Sequence, residues 1–195
     1  MGSTKVIVVT GASRGIGAAI AIELANRGYK VACLSRKGLG VEETSATSEN
    51  LLPYACDITD EGQMRKVLQR IQEELGGIQG LVNNAGIHLN GRSSDFSSED
   101  FSKVLETNTT ALFNVCRETF PYLADNGGLI VNIGSFYDKL GVPWNTAYCA
   151  SKAAVAAITR CLAVEWAKKG IRVMNVAPGY IETDINREAL QMDEL

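Results

Sequence analysis

Apolar residues along the chain fall into short unbroken runs, separated by longer stretches in which they recur every three or four positions. The runs are Lys5 to Thr10, Tyr29 to Ser35, Leu51 to Cys56, Ile78 to Val82, Leu129 to Ile133 and Ile171 to Val176. Each has strand length, and each is continuous rather than alternating, which predicts burial on both faces as in a parallel sheet covered by helices. Between the runs lie helical patterns. Gly15 to Arg27 carries Ile16, Ala19, Ile20, Ile22 and Leu24 at helical spacing, with Gly28 where a C-cap belongs. Thr59 opens a second helix with Asp60 and Glu61 in its acidic first turn, and Met64, Val67, Leu68, Ile71 and Leu75 form its apolar face before Gly76-Gly77 stops it. Ser97-Ser98-Glu99-Asp100 caps a long helical region reaching about Asp125, and Thr146 to Lys169 is an alanine-rich helix ended by Gly170. Lys37 to Asn50 has little apolar periodicity and reads as a loop. The alternation predicts an α/β fold, a doubly wound parallel sheet in a three-layer α/β/α arrangement with right-handed crossovers, spanning residues 1–195 as one domain.

Composition narrows the function. The chain has 195 residues, 46% of them hydrophobic, so it can build a sizeable core, and a net charge of -3 argues against a broad nucleic-acid footprint. No apolar run is long enough to span a bilayer, and no cleavage-like site follows the first one, so neither a membrane nor a secretory signal is expected. The Met192-Asp193-Glu194-Leu195 ending only half resembles a retention tail. Five scattered cysteines without C-x-x-C, and the single histidine His88, disfavour a disulfide framework, a metal site and a Ser-His-Asp hydrolase; the cysteine usage suits the cytoplasm.

The first candidate chemistry is the turn Thr10-Gly11-Ala12-Ser13-Arg14-Gly15-Ile16-Gly17, between the first strand and the first helix. Glycines there permit a tight exit from the strand, close approach of a diphosphate and close helix packing, while the helix N-terminus offers free N–H groups. The spacing is G-x-x-x-G-x-G and lacks the Gly-Lys-Ser/Thr of a P-loop, which argues against nucleotide hydrolysis. An acid that would hold a ribose 2′-hydroxyl belongs near the end of the second strand. The chain reads Leu34-Ser35-Arg36-Lys37 there, without a carboxylate. Arg36, helped by Arg14, would instead pair with a 2′-phosphate, giving a preference for NADPH over NADH; the plainer reading is a solvated basic loop.

With that turn in hand, the sequence resembles the short-chain dehydrogenases/reductases. The likeness continues in order through Asp57, Asn83-Asn84-Ala85-Gly86, Asn108, Ser135, Tyr148-x-x-x-Lys152 and Pro178-Gly179. Within the family it is most similar to 3-oxoacyl-acyl-carrier-protein reductases and related carbonyl reductases. The resemblance implies a Rossmann fold and cofactor roles for Thr10, Gly11, Ser13, Arg14, Gly15, Ile16, Gly17, Ser35, Arg36, Asp57, Ile58, Asn84, Ala85 and Gly86 on the adenosine side. Pro178, Gly179, Ile181 and Thr183 would lie on the nicotinamide side. It implies a catalytic set of Asn108, Ser135, Tyr148 and Lys152, a small carbonyl or alcohol substrate, possession of a seventh strand and lid by longer members, and a dimer or tetramer built on the helices carrying Asn108 and Tyr148. Against it, only six strands are read here, and the expectation is a C-terminally shortened domain.

The residue types suit carbonyl reduction. Tyr148 and Lys152 are four apart on one helix and share a face. A phenol is a weak acid near neutral pH, and a nearby ammonium is expected to lower its pKa. Tyr148 is thus expected to donate the proton in reduction and accept it in oxidation, Lys152 to tune it and hold ribose hydroxyls, and Ser135 to hold the substrate oxygen. Asn108 lies in Thr107-Asn108-Thr109-Thr110, a poor helix-forming cluster where a helix irregularity could expose a backbone group to water; the resemblance makes that a proton-relay water linked to Lys152, with a helix-kink residue as the alternative. His88, Tyr137 and Trp144 are candidate substrate contacts, with plain packing as the alternative. The competing function is a non-catalytic NADP(H)-sensing binding protein of the same fold.

Overall fold

A computed structural model describes residues 5–42 and 48–181. Six strands, β1 (Val6–Thr10), β2 (Lys30–Ser35), β3 (Leu51–Ala55), β4 (Gly80–Asn83), β5 (Gly128–Ile133) and β6 (Ile171–Val176), form one sheet among the described residues. Its order is β3-β2-β1-β4-β5-β6, and every neighbouring pair is parallel. The helices are α1 (Gly15–Asn26), α2 (Glu61–Leu75), α3 (Ser98–Leu105), α4 (Ala111–Leu123) and α5 (Thr146–Trp166). The chain reverses direction across the sheet between β1 and β4, the switch point where open α/β sheets bind ligands at the carboxyl ends of their strands.

The sheet separates two apolar layers. On one face Val6, Val8, Leu34, Leu81 and Ile130 pack with Met64, Leu68 and Ile71 of α2, Leu112 and Val115 of α4, and Val155 and Leu162 of α5. On the other, Val9, Val31, Cys33, Val82 and Ile133 meet Ala21 and Ala25 of α1, whose small side chains let that helix lie close. By composition alone, residues 146–169 would suit a membrane span, but Val155, Ala156, Leu162 and Trp166 are buried on the protein side. Their apolar character is that of a core helix.

The predicted elements are present with small shifts. Asp60, not Thr59, caps α2: its carboxylate accepts from the Gln63 N–H at 2.9 Å. β4 starts two residues late because Gln79 is used before it, its side chain accepting from the Val6 N–H and its own N–H bonding Val6 O at 3.0 Å. The expected single helix from Ser97 to Asp125 is α3 and α4 joined by a π-helical turn, Glu106–Thr110, at the predicted irregularity. β6 departs from two-sided burial. It is the end strand of the sheet, and Met174 and Val176 are half exposed on the face away from α5.

Candidate active site

Because all six strands run parallel, the loops after β1, β2, β4, β5 and β6 emerge at the same edge. The glycine turn leaves β1 there. Gly11 and Gly15 have φ of 64° and 56°, and a Cβ on Gly17 would sit 2.2 Å from Gly11 O, so only glycine fits. Thr10 and Asn84 lock this turn to β4. The Asn84 and Ala85 N–H groups donate to Thr10 Oγ1 at 3.0 and 3.1 Å, and Asn84 Nδ2 donates to Thr10 O and Gly11 O. Asn84 therefore supports the turn through protein contacts.

This edge carries groups suited to an anionic ligand. The N-terminus of α1 has no side-chain cap and no acidic residue in its first turn, so its free N–H groups face an anion site without competition. Ser35 Oγ, at the end of β2, is buried without a hydrogen-bond partner among the described residues. An orphaned hydroxyl is costly unless a ligand satisfies it. Arg14 and Arg36 are exposed and, among the described residues, in no ion pair. Ser13 ties the loop after β2 back to the turn, its carbonyl accepting from the Glu42 N–H at 2.8 Å. Ile16 is partly exposed at the start of α1. The Asp57 carboxylate accepts from Thr59 N and Oγ1 at 3.0 and 2.7 Å, and Ile58 packs on the core.

The catalytic candidates converge on the neighbouring loops. Ser135 follows β5 and is 7% exposed. It is placed by Gly134, where a Cβ would meet Asn175 Oδ1 at 2.4 Å. Lys152 is 6% exposed; its Nζ donates to Ile133 O at 2.8 Å and lies 5.5 Å from the centre of the Tyr148 ring. Burial brings its pKa down from 10.5 to about 8. Burial also raises the Tyr148 phenol, while the Ser135 hydroxyl works the other way by favouring the phenolate. This corrects the sequence-based expectation: burial, not the Lys152 ammonium, dominates the Tyr148 phenol, which stays protonated at neutral pH.

Asn108 lies in the π turn and is 2% exposed. Its Oδ1 accepts from the Ile87 N–H at 2.8 Å, and its Nδ2 donates to Ile87 O at 2.9 Å and Ser151 Oγ at 3.1 Å. Ser151 Oγ in turn donates to Tyr148 O at 2.7 Å. The Asn108 amide is thus spent on fixing the loop after β4, with Gly86 tight against it, to the first turns of α5. It does not contact Lys152 Nζ directly.

Sequence reading missed Asn145 and Ser151. Asn145 Oδ1 accepts from His88 Nε2, and its Nδ2 donates to Pro143 O at 2.8 Å. This holds the His88 ring 4.6 Å from the Tyr148 ring. The signal available was position: Asn145 stands at the N-cap of α5, and Ser151 precedes Lys152 on the site-bearing helix. A cavity of about 400 Å³ opens beside this helix start, lined by residues including Phe96, Phe101, Trp144 and Ala147. Tyr148 is not among its lining residues. On the β6 side, Pro178 O accepts from the Phe136 N–H at 3.1 Å, and Gly179 and Ile181 are exposed. Thr183 lies outside the described residues.

A turn built for a dinucleotide, joined to a Ser–Tyr–Lys group at the same sheet edge, is the arrangement of one enzyme family, and comparison with known proteins agrees. The family model for short chain dehydrogenase matches residues 5–194. The chain belongs to the short-chain dehydrogenases/reductases. Carbonyl reductase family member 4 of Danio rerio is 39% identical over 93% of this chain and 78% of its own. The 3-oxoacyl-[acyl-carrier-protein] reductase FabG of Vibrio cholerae is 38% identical over 94% of this chain and 76% of its own. Among solved structures, ElxO with NADP bound superposes with a TM-score of 0.89 at 32% identity, covering 98% of this chain and 80% of that one. Membership makes the chain an oxidoreductase-family protein with a nicotinamide cofactor and a small-molecule substrate.

Proposed function

We propose that the protein is an NADP(H)-dependent enzyme that interconverts a carbonyl and an alcohol. The observation that carries this reading is the convergence of half-buried Tyr148 with buried Ser135 and Lys152 at one sheet edge, the Lys152 ammonium lying 5.5 Å from the centre of the phenol ring. Bound along the glycine turn, NADPH supplies the hydride. Ser135 orients the substrate oxygen, and Tyr148 gives it a proton as the C=O π bond breaks. One C–H and one O–H bond form, and NADP⁺ is left. Lys152, protonated below about pH 8, is the cation nearest the phenolate that results. Ser135, Tyr148 and Lys152 support a catalyst over a sensor; the Asn108 amide positions the start of α5, and its π turn is where a proton-relay water linked to Lys152 would sit.

NADP(H) over NAD(H) is supported by Arg14 and Arg36 and by the absence of a carboxylate in Leu34-Ser35-Arg36-Lys37. Similarity to a 3-oxoacyl-[acyl-carrier-protein] reductase makes a 3-oxoacyl thioester one candidate substrate. Five free cysteines, three of them buried, suit a cytoplasmic setting, and the exposed Phe113 and Val164 on α4 and α5 suit a homo-oligomer. The deciding assay is NADPH consumption at 340 nm with ketones, 3-ketoesters and quinones. Turnover supports the enzyme; tight NADPH binding with no oxidation across the panel would favour the sensor.

A further inference from the structure

We propose that the carbonyl compound this site takes is a planar aromatic one, packed against a wall formed by Phe136, Tyr137 and Tyr180 beside Tyr148. The inference rests on the reductase reading above and uses the same chemical step. It names what surrounds the reacting carbonyl. A carbonyl oxygen held by Ser135 and Tyr148 has its substituents beside the residues that follow Ser135. Those are Phe136 and Tyr137, whose rings meet edge-on at 4.7 Å and 68°. Tyr180, from the loop after β6, joins both: 5.0 Å and 71° to Phe136, 6.2 Å and 86° to Tyr137. Tyr137 in turn stands 5.8 Å from the Tyr148 ring at 83°. Rings from two loops and one helix thus form one continuous edge-to-face series ending at the proton donor, and His88 packs on that donor as well.

The wall is held in shape before any ligand arrives. The Tyr137 and Tyr180 hydroxyls bond each other at 3.1 Å, and the two loops are joined by Phe136 N to Pro178 O at 3.1 Å and Gly134 N to Val176 O at 2.7 Å. Preorganised rings favour a flat ligand because little ordering remains to be done on binding. The wall is also open, since Tyr180 is 54% exposed. Large apolar side chains on the same chain segments are also left exposed. Leu140 and Trp144 lie in the same loop as Tyr137, and Ile181 follows Tyr180. Trp144 adds an independent sign. It is 59% exposed at φ 66°, a conformation natural to glycine and strained for a bulky residue. Gly91 N holds it there through Trp144 O at 2.9 Å. An aromatic kept exposed against its backbone preference, lining a cavity with Phe96 and Phe101 at the start of the helix that carries Tyr148, fits a ligand-facing surface. A flexible alkyl chain gains only burial here, whereas an aromatic ring gains edge and face contacts too.

The test compares 2-tetralone with 2-decalone. These share a fused ten-carbon skeleton and an unconjugated ketone, and differ in whether the remote ring is aromatic. With NADPH and the full chain, kcat/KM for 2-tetralone is expected to exceed that for 2-decalone about tenfold. Tyr180→Leu is expected to bring that ratio close to one, while Tyr180→Phe keeps it; the exposed position lets both fold, which NADPH binding verifies. A ratio near one in the wild type, or a ratio that survives Tyr180→Leu, overturns the inference. If a 3-oxoacyl thioester is reduced and 2-tetralone is not, the aromatic assignment fails and the reductase reading stands. If no carbonyl compound consumes NADPH, the reductase reading itself fails and takes this one with it.

Discussion

Replacing Lys152 by methionine separates the cost of burying this residue from its use. Its pKa falls from 10.5 to about 8 because burial disfavours the charged form. At about 1.4 kcal/mol per pH unit, that drop corresponds to about 3.5 kcal/mol of native-state penalty while the ammonium is charged in both folded and unfolded chains. Lys152→Met removes the penalty, but it also removes the Nζ hydrogen bond to Ile133 O, which offsets roughly 1.5–3 kcal/mol. The net change near neutral pH is therefore small, and the pH dependence is the informative quantity. Below about pH 8 both states hold the proton; between about 8 and 10.5 the unfolded chain holds it and the native protein does not. Stability rises with pH wherever the unfolded state binds more protons, so wild-type stability should climb through this window. Relative to Lys152→Met, which cancels the other titrating groups, the wild type should gain about 2–3 kcal/mol between roughly pH 7 and pH 10. Urea unfolding of both proteins at three pH values reads it directly. A wild-type-minus-variant difference that stays flat across that range would refute the burial argument.

Two further perturbations follow. Arg36→Asp places a carboxylate where the 2′-phosphate is expected, so the NADPH dissociation constant should rise about 10- to 100-fold while NADH binding holds or improves; an unchanged NADPH/NADH ratio in fluorescence titrations rejects the assignment. Asn108→Ala leaves the half-buried Ile87 N–H and O without their partner and Ser151 Oγ with only its bond to Tyr148 O, for a loss of about 1–3 kcal/mol and a Tm lowered by about 3–8 °C; a Tm within a degree of wild type would show that Asn108 does not brace this loop.

What was readable from the chain was readable for local reasons. Tyr148 and Lys152 share a face because helical spacing places them there, and the Thr107–Thr110 cluster signalled the π turn through poor helix propensity. Gly17 stood out by its place in the turn, and its close approach to Gly11 O bears that out. What escaped the reading depends on register and depth. Asn83 and Asn132 are 49 residues apart, yet strand pairing puts them side by side, with Asn83 Nδ2 donating to Asn132 Oδ1 at 3.0 Å and Asn132 Nδ2 to Thr159 Oγ1 at 2.9 Å. The Asn145 clasp on His88 is likewise a long-range contact. The direction of the Tyr148 shift was misjudged because it depends on burial, which spacing along a helix does not report.

The same phenol carries the central claim. Tyr148→Phe removes one oxygen from a ring that stays packed against His88 and Tyr137. The variant should therefore fold and bind NADPH like the wild type while kcat for its best carbonyl substrate falls at least about 100-fold. Single-turnover NADPH oxidation by the two proteins at equal cofactor saturation measures this. Loss of oxidation with binding intact supports Tyr148 as proton donor; oxidation within a few-fold of wild type would contradict it.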